Sequence, residues 1–430
     1  MKRRRVLIAA SLLASILVTA CSSAAAGGGG SQGGGIQGGS SQGGSQAGGV
    51  TGAAIKVGFI CSCSGAEASA IALTKDSAGA WAKSVNAAGG INGHPVQLFI
   101  EDDALNPATS LQDAKVLVQQ DKVVAIVGEV SVLDSGWAAY VQSEGVPVIG
   151  GLSIEAPFLT NSDFFPSGAS TGVLGVGMMQ LMKKRAESRF GQLYCAEAPV
   201  CAELASLSRA TAQIVGGIQV TAAKVSVTEP NYNAECLSLK SAGVEAINVA
   251  STAVTVQRVQ ANCVQLGYKP QSVAQSGTIA ASWLTDPNMA GALIAMSNAN
   301  YLDSSIPAVK EFLDAMDKYY PGDRTSPDFG YDVIYPWIGG KLFEAAAKAA
   351  NLGPSSTPAD VKKGLWSLRN ETLGGLSSPL SFTEGATTFP NCYFVAEVQG
   401  GKLASPYGTG PVCMNGTQTA ALKQATGVTG

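Results

Sequence analysis

From Ile55 onward, short apolar runs alternate with helix-length stretches, and this alternation limits the folds open to the chain. Ile55–Ile60, Val96–Ile100, Val123–Val127 and Val146–Ile149 read as strands, separated by helical patterns over 66–88, 106–120 and 133–144. That spacing predicts a parallel sheet with helices on both faces. The pattern repeats downstream, with helices over 171–188, 201–214, 232–241 and 254–266 between strands at 192–194, 224–227, 246–250, 272–275 and 292–296. Helices over 307–319, 329–350 and 358–368 follow, then a hairpin over 391–403 turning at Gly400-Gly401. About 380 residues are too many for one ordinary core. The expectation is an α/β protein with two doubly wound parallel-sheet lobes.

The amino-terminus reads differently. Four cations close up in MKRRR precede an apolar run from Val6 to Ala20, too short to span a membrane, so residues 1–20 read as a secretion signal. Val18-Thr19-Ala20-Cys21 resembles the lipobox of bacterial lipoproteins, which implies cleavage before Cys21 and its acylation. Residues 21–53 then form a tether rich in Gly, Ser and Gln: 13 of the 23 residues from 27 to 49 are glycine. Such a composition cannot bury enough surface to offset its ordering entropy. Without Lys2, Arg3, Arg4 and Arg5 the chain keeps 24 cations against 31 anions, a net of −7. That argues against nucleic acid or an anionic lipid surface as a partner.

Signals for bond-making chemistry are weak. Gly168-Ala169-Ser170-Thr171-Gly172 fits G-x-S-x-G, but a nucleophile elbow needs a base, and the single histidine, His94, precedes the serine instead of following it. There is no GxxxxGK loop and no HExxH. Glu101-Asp102-Asp103 ends a strand, where consecutive acids usually tie a loop. No catalytic residue, cofactor or metal is expected.

The most telling segments are Asn86-Ala87-Ala88-Gly89-Gly90-Ile91-Asn92-Gly93, Glu101-Asp102-Asp103 and Asp121-Lys122-Val123-Val124-Ala125-Ile126-Val127-Gly128. With SAGVEAINVAS and FGYDVIYPWIGGKLFEAAAKAA downstream, they resemble branched-chain amino-acid-type solute-binding lipoproteins of ABC importers, over essentially all of 54–400. The resemblance implies the type I periplasmic-binding fold, with a three-segment hinge. One lobe would comprise 54–168 and 298–380, the other 169–297 and 381–430. It also implies a monomer tethered to the outer face of a Gram-positive membrane, passing a small polar solute (an amino acid, an amide or a small organic acid) to permease subunits. A ligand-sensing ectodomain serving a membrane receptor would use the same fold.

In that family a carboxylate is held by hydroxyls and N–H groups of two first-lobe loops. Here those loops are Gly128-Glu129-Val130-Ser131, with Asp134 after it, and Gly150-Gly151-Leu152-Ser153. Ser131, Ser153 and Gly151 are the expected contacts there, with Ser251, Thr252 and Ser276 opposite. The acid expected to meet an ammonium falls on or beside Ser276, which carries no charge. Glu129, Glu67 or Asp134 would have to replace it, Glu129 first. Besides Cys21, eight cysteines remain, and an even count in an exported chain reads as disulfides. The implied lobes pair Cys61 with Cys63. Proximity then suggests Cys195–Cys201, Cys236–Cys263 and Cys392–Cys413.

Overall fold

The computed structural model describes residues 50, 52–65, 71–196 and 201–428; Cys21, the tether and Glu67 lie outside them. The first sheet is built from β1 (Ile55–Cys61), α1 (Thr74–Ala87), β2 (Val96–Asp102), α2 (Pro107–Lys115), β3 (Ile126–Val127), α3 (Ala138–Ser143), β4 (Val148–Ile149), α4 (Pro157–Thr160) and β5 (Phe164–Phe165). Its order is β2-β1-β3-β4-β5, with every pairing parallel. Near-continuous apolar runs suit this, because both faces are covered: Val57, Phe59, Ile126, Val148 and Ile149 are fully buried.

Next come α5 (Thr171–Lys184), β6 (Arg189–Cys195), α6 (Cys201–Val215), β7 (Gln219–Val225), α7 (Asn233–Ser241), β8 (Ala246–Ala250), α8 (Ala253–Gln265), β9 (Gln271–Gln275) and β10 (Leu293–Met296). The second sheet repeats the first one's order as β7-β6-β8-β9-β10, and the parallel part ends there. The hairpin β11 (Cys392–Gln399) and β12 (Lys402–Ala404) extends it antiparallel, and β13 (Val412–Cys413) pairs with β11. Between β10 and β11 lie α9 (Pro307–Tyr319), α10 (Ile334–Ala349) and α11 (Pro358–Ser367); α9 and α10 pack against α1, α11 packs on α10, and α10 also meets β3 and β4. The chain closes with α12 (Gly416–Thr426).

The chain therefore passes between the two sheets three times, and the passages lie side by side. Ser297 O accepts from Ala169 N–H (3.2 Å) and Ser297 Oγ donates to Ala169 O (2.9 Å). Asn298 Nδ2 and Ser377 Oγ both donate to Ser167 O, at 2.7 and 2.5 Å, and Ala299 N–H donates to Leu376 O (3.0 Å).

Some boundaries differ from the sequence reading. The regular β3 ladder is only two residues, although Val124 N–H still donates to Lys56 O and Gly58 N–H to Ala125 O. The helix expected over 106–120 becomes α2 followed by a π turn, Val116–Asp121, stopped by Lys122 at φ 58°. The helix expected from Phe329 starts as the 3-10 turn Tyr331–Val333 and becomes α10 at Ile334. There Pro336 falls in the first turn, where its missing N–H costs nothing. Strand β7 begins at Gln219, five residues early, and α12 was not foreseen.

Disulfides join Cys61–Cys63, Cys236–Cys263 and Cys392–Cys413. Cys195 is also disulfide-bonded; the side chain of its expected partner, Cys201, lies outside the described residues. Among the described residues no helix is long and apolar enough to cross a membrane. Likewise, no group of three or more His, Cys, Asp or Glu is placed to hold a metal ion.

Candidate functional site

The strand order of the first sheet reverses between β1 and β3, and a crevice at such a point, beyond the carboxyl ends of the strands, is where open α/β sheets bind ligands. Loops after β1, β2, β3 and β4 meet there. Ser62 N–H donates to Val130 O and Asp103 N–H to Cys61 O, so the Cys61–Cys63 ring is fastened to both neighbouring loops.

Glu129 sits in this knot, fully buried. Its Oε2 accepts from Ser131 N–H (2.8 Å) and its Oε1 from Leu152 N–H (3.1 Å). One carboxyl thus clamps the loop after β3 to the loop after β4. Asp134, also fully buried, lies against it, and neither Asp134 oxygen meets an N–H or O–H donor among the described residues. With both buried, the charge of each disfavours ionisation of the other. Burial, then the charge of Glu155, push the Glu129 carboxyl up to about 8; burial, then the charge of Glu129, push Asp134 well above the usual range. Both acids are expected above as a ligand's counter-charge; in this structure the Glu129 oxygens hold the two loops together.

The hydroxyls are also turned inward. Ser131 Oγ donates to Asp103 Oδ2 (2.6 Å) and accepts from Leu133 N–H (3.1 Å), with no exposed surface. Ser153, 2% exposed, directs its hydroxyl to Gly151 O (3.4 Å). Gly151 itself has φ 101°, and a Cβ there would fall 2.2 Å from Glu129 O. Its role is close backbone approach. On the second sheet, Thr252 caps α8 by accepting from Thr255 N–H (3.3 Å), and Ser251 is half-buried. Ser276 is buried, accepting from Ser297 N–H (3.4 Å). Ser131, Ser153 and Thr252 thus all have local hydrogen-bond partners, the first two as buried hydroxyls must.

The carboxyl ends of both sheets converge on the start of α10. After β3 and β4, Gly128 and Gly150 lie so close to this helix that a Cβ on either would fall 2.6 Å from Pro336 Cα and 2.5 Å from Gly339 Cα. After β9, the turn Ser276–Thr278 packs against the turn Tyr331–Val333 that leads into the same helix. Between them lies Asp332, which sequence reasoning missed. Its Oδ1 is buried without a partner among the described residues, and it faces Gly277 at 3.9 Å from where a Cβ would stand. Burial pushes the Asp332 carboxyl up to about 7. Tyr301, Tyr331 and Tyr335 surround it, and Tyr331 Oη accepts from Asn298 N–H (2.8 Å). The available signal was one acid inside the apolar run GYDVIYPW.

A cavity of mixed lining, with Met178, Leu204 and Leu207 on one side and Gln192, Ser208 and Asn248 among its polar walls, has a volume of ≈ 30 Å³. That is room for one or two waters and too small for a solute.

A sequence-family model described as "Periplasmic binding protein" matches residues 54–402. The chain belongs to this family. An amino acid binding protein of Pseudomonas aeruginosa is 49% identical over 47 residues, which is 11% of this periplasmic binding protein and 13% of that relative. The match thus spans far less than two thirds of the relative. Among solved structures, a branched-chain amino acid ABC transporter protein from Thermus thermophilus with bound valine superposes with a TM-score of 0.72. It is 16% identical, covering 86% of this chain and 98% of that one. A solute-binding protein of an ABC transporter from R. palustris, in complex with benzoate, gives 0.65 at 14% identity, covering 84% and 98%. At these identities the likeness speaks for the fold, which is the type I periplasmic-binding fold.

Proposed function

We propose that this periplasmic binding protein is the extracytoplasmic, lipid-anchored solute-binding component of an ABC-type importer. It captures a small solute between two lobes, 54–168 with 298–380 and 169–297 with 381–430, and passes it as a monomer to permease subunits without breaking bonds. The observation that carries this reading is the meeting of both sheets' carboxyl ends at α10 through Gly128, Gly150 and the turn at Ser276. Strand ends of both sheets facing one helix start are what a shared slot requires. The three side-by-side passages at Ser167, Ser297 and Ser377 support it further, because a short bundle of crossings lets two packed halves pivot. The valine and benzoate carried by its structural neighbours agree with capture of a small molecule.

The test is small-angle scattering of the full chain against a broad metabolite panel. At least one member should contract the profile, as closure around a ligand requires. A profile unmoved by every member refutes the proposal. In the same preparations Cys21→Ser should move the protein from the membrane fraction to the soluble fraction.

A further inference from the structure

The second sheet has a pocket at the amino ends of its strands, away from the carboxyl ends that converge on α10. It lies beside the starts of β6, β8, β9 and β10 and has a volume of ≈ 210 Å³. Glu187 and Glu245 stand on its wall just ahead of β6 and β8, Gln271 opens β9, and Asn288 precedes β10. Gln260 reaches it from α8. Two oxygens on this wall are orphans. Gln260 Oε1 and Glu187 Oε2 are buried without a hydrogen-bond partner among the described residues, and Gln260 is only 2% exposed. Buried polar atoms in folded proteins have partners, so two orphans on one wall point to something that fills the pocket.

What the wall offers is oxygen. The nitrogen of each side-chain amide on it already donates: Gln260 Nε2 to Pro270 O (2.9 Å), Gln271 Nε2 to Gly291 O (2.5 Å) and Asn288 Nδ2 to Asp286 Oδ1 (3.1 Å). Glu245 is held beside Glu187, because its Oε2 accepts from the N–H groups of Ser188 (2.6 Å) and Arg189 (3.0 Å). The two carboxyls repel. Burial, then the charge of Glu245, push the Glu187 carboxyl up to about 7, against the attraction of Arg185, which is itself paired with Glu397 (3.1 Å). Lys269 is the single cation on the wall and forms no ion pair among the described residues. Water meets each orphan singly but leaves the repulsion in place; a bound cation removes it.

We infer that this pocket binds a hard divalent cation of the calcium class, held by Glu187 and Gln260, with Glu245, Gln271 and Asn288 around it and water completing the shell. Calcium takes about 6–8 oxygens in flexible geometry, amide carbonyls among them, whereas magnesium demands a near-ideal octahedron and keeps its waters. A wall without sulfur or imidazole disfavours zinc and copper. Two carboxylates are fewer than a tight site uses, which places the affinity in the range of extracellular modules, about 10⁻⁴–10⁻³ M. The ion's work is structural: it ties the turn between α5 and β6 to α8, and it does so whether or not a solute is captured at the other end of the strands.

The test is isothermal titration of the metal-stripped full chain with calcium chloride, with the melting temperature as a second readout. Calcium should bind with a dissociation constant of about 10⁻⁴–10⁻³ M and raise the melting temperature, and magnesium should bind at least about tenfold more weakly. Glu187→Gln should weaken calcium at least about tenfold without lowering the calcium-free melting temperature, because it removes a buried charge. Lys269→Met, at an exposed position, should tighten calcium by removing a competing cation. Calcium that Glu187→Gln leaves at full affinity is bound elsewhere, on acids such as Glu101-Asp102-Asp103, and overturns the assignment; so does an affinity that Lys269→Met leaves unchanged. Magnesium bound as tightly as calcium overturns the choice of ion. Silence from the parent and from Lys269→Met up to about 10 mM calcium overturns the site altogether and leaves the pocket to water.

Discussion

Gly151 shows how one residue fixes the geometry of the strand-end knot. At φ 101° only glycine is unstrained, and an added methyl would meet Glu129 O at 2.2 Å and Glu129 Oε1 at 2.8 Å. Gly151→Ala should therefore lower stability by about 2 kcal/mol or more, read as a shifted urea midpoint. A midpoint equal to that of the parent would show that the loops after β3 and β4 are not clamped as described. This is also the scale at which the sequence was least legible. Ser131, Ser153 and Glu129 were recognisable as polar residues at strand ends, but residue type does not say which way a side chain points. Their partners (Asp103, Gly151 and the N–H groups of Ser131 and Leu152) are supplied by loops distant in sequence or by the local turn itself. Asp332 was passed over for the opposite reason, being embedded in apolar neighbours that read as helix.

Elements were far more legible, because hydrophobic periodicity is a local signal. β8 and α9 begin and end where the pattern placed them, and the hairpin turns at Gly400-Gly401. The misses have local causes. The π turn Val116–Asp121 leaves no mark in the hydrophobic pattern, and Lys122 in the left-handed region ends it with no glycine to announce the stop. The missed α12 carried a readable start, a capping box in which Asn415 and Gln418 bond each other's backbone N–H. Covalent ties operate at this scale too. Cys236 and Cys263 join α7 to α8 across 27 residues. Closing a loop of that length should stabilise by about 3–4 kcal/mol in the chain-entropy view. Replacing both by serine should show that loss in chemical denaturation under oxidising conditions, and a loss under about 1 kcal/mol would mean that helix packing alone holds the pair.

For the whole molecule, the buried acids set a pH dependence. Asp332, raised to about 7, and the Glu129–Asp134 pair keep protons in the folded state that the unfolded chain releases near pH 4. Their contribution is thus fully present below about pH 4 and is lost as pH rises through 7 and 8. The melting temperature should fall between pH 5.5 and 8.5. Asp332→Asn should raise it most at pH 8.5, less at pH 5 and hardly at all below pH 4. A profile that climbs with pH would mean that these carboxyls ionise freely.

The order in which the halves are completed follows from the three passages between sheets. Trp81 lies in α1, yet its indole N–H donates to Glu344 in α10, 263 residues later, and its ring lies where a Cβ on Gly340 would stand. The first sheet cannot be roofed until most of the polypeptide exists, and such distant closures slow folding. For a chain exported as proposed above, that delay is useful: it keeps the nascent polymer loose enough to be threaded through a narrow pore, and it moves the final collapse to the far side.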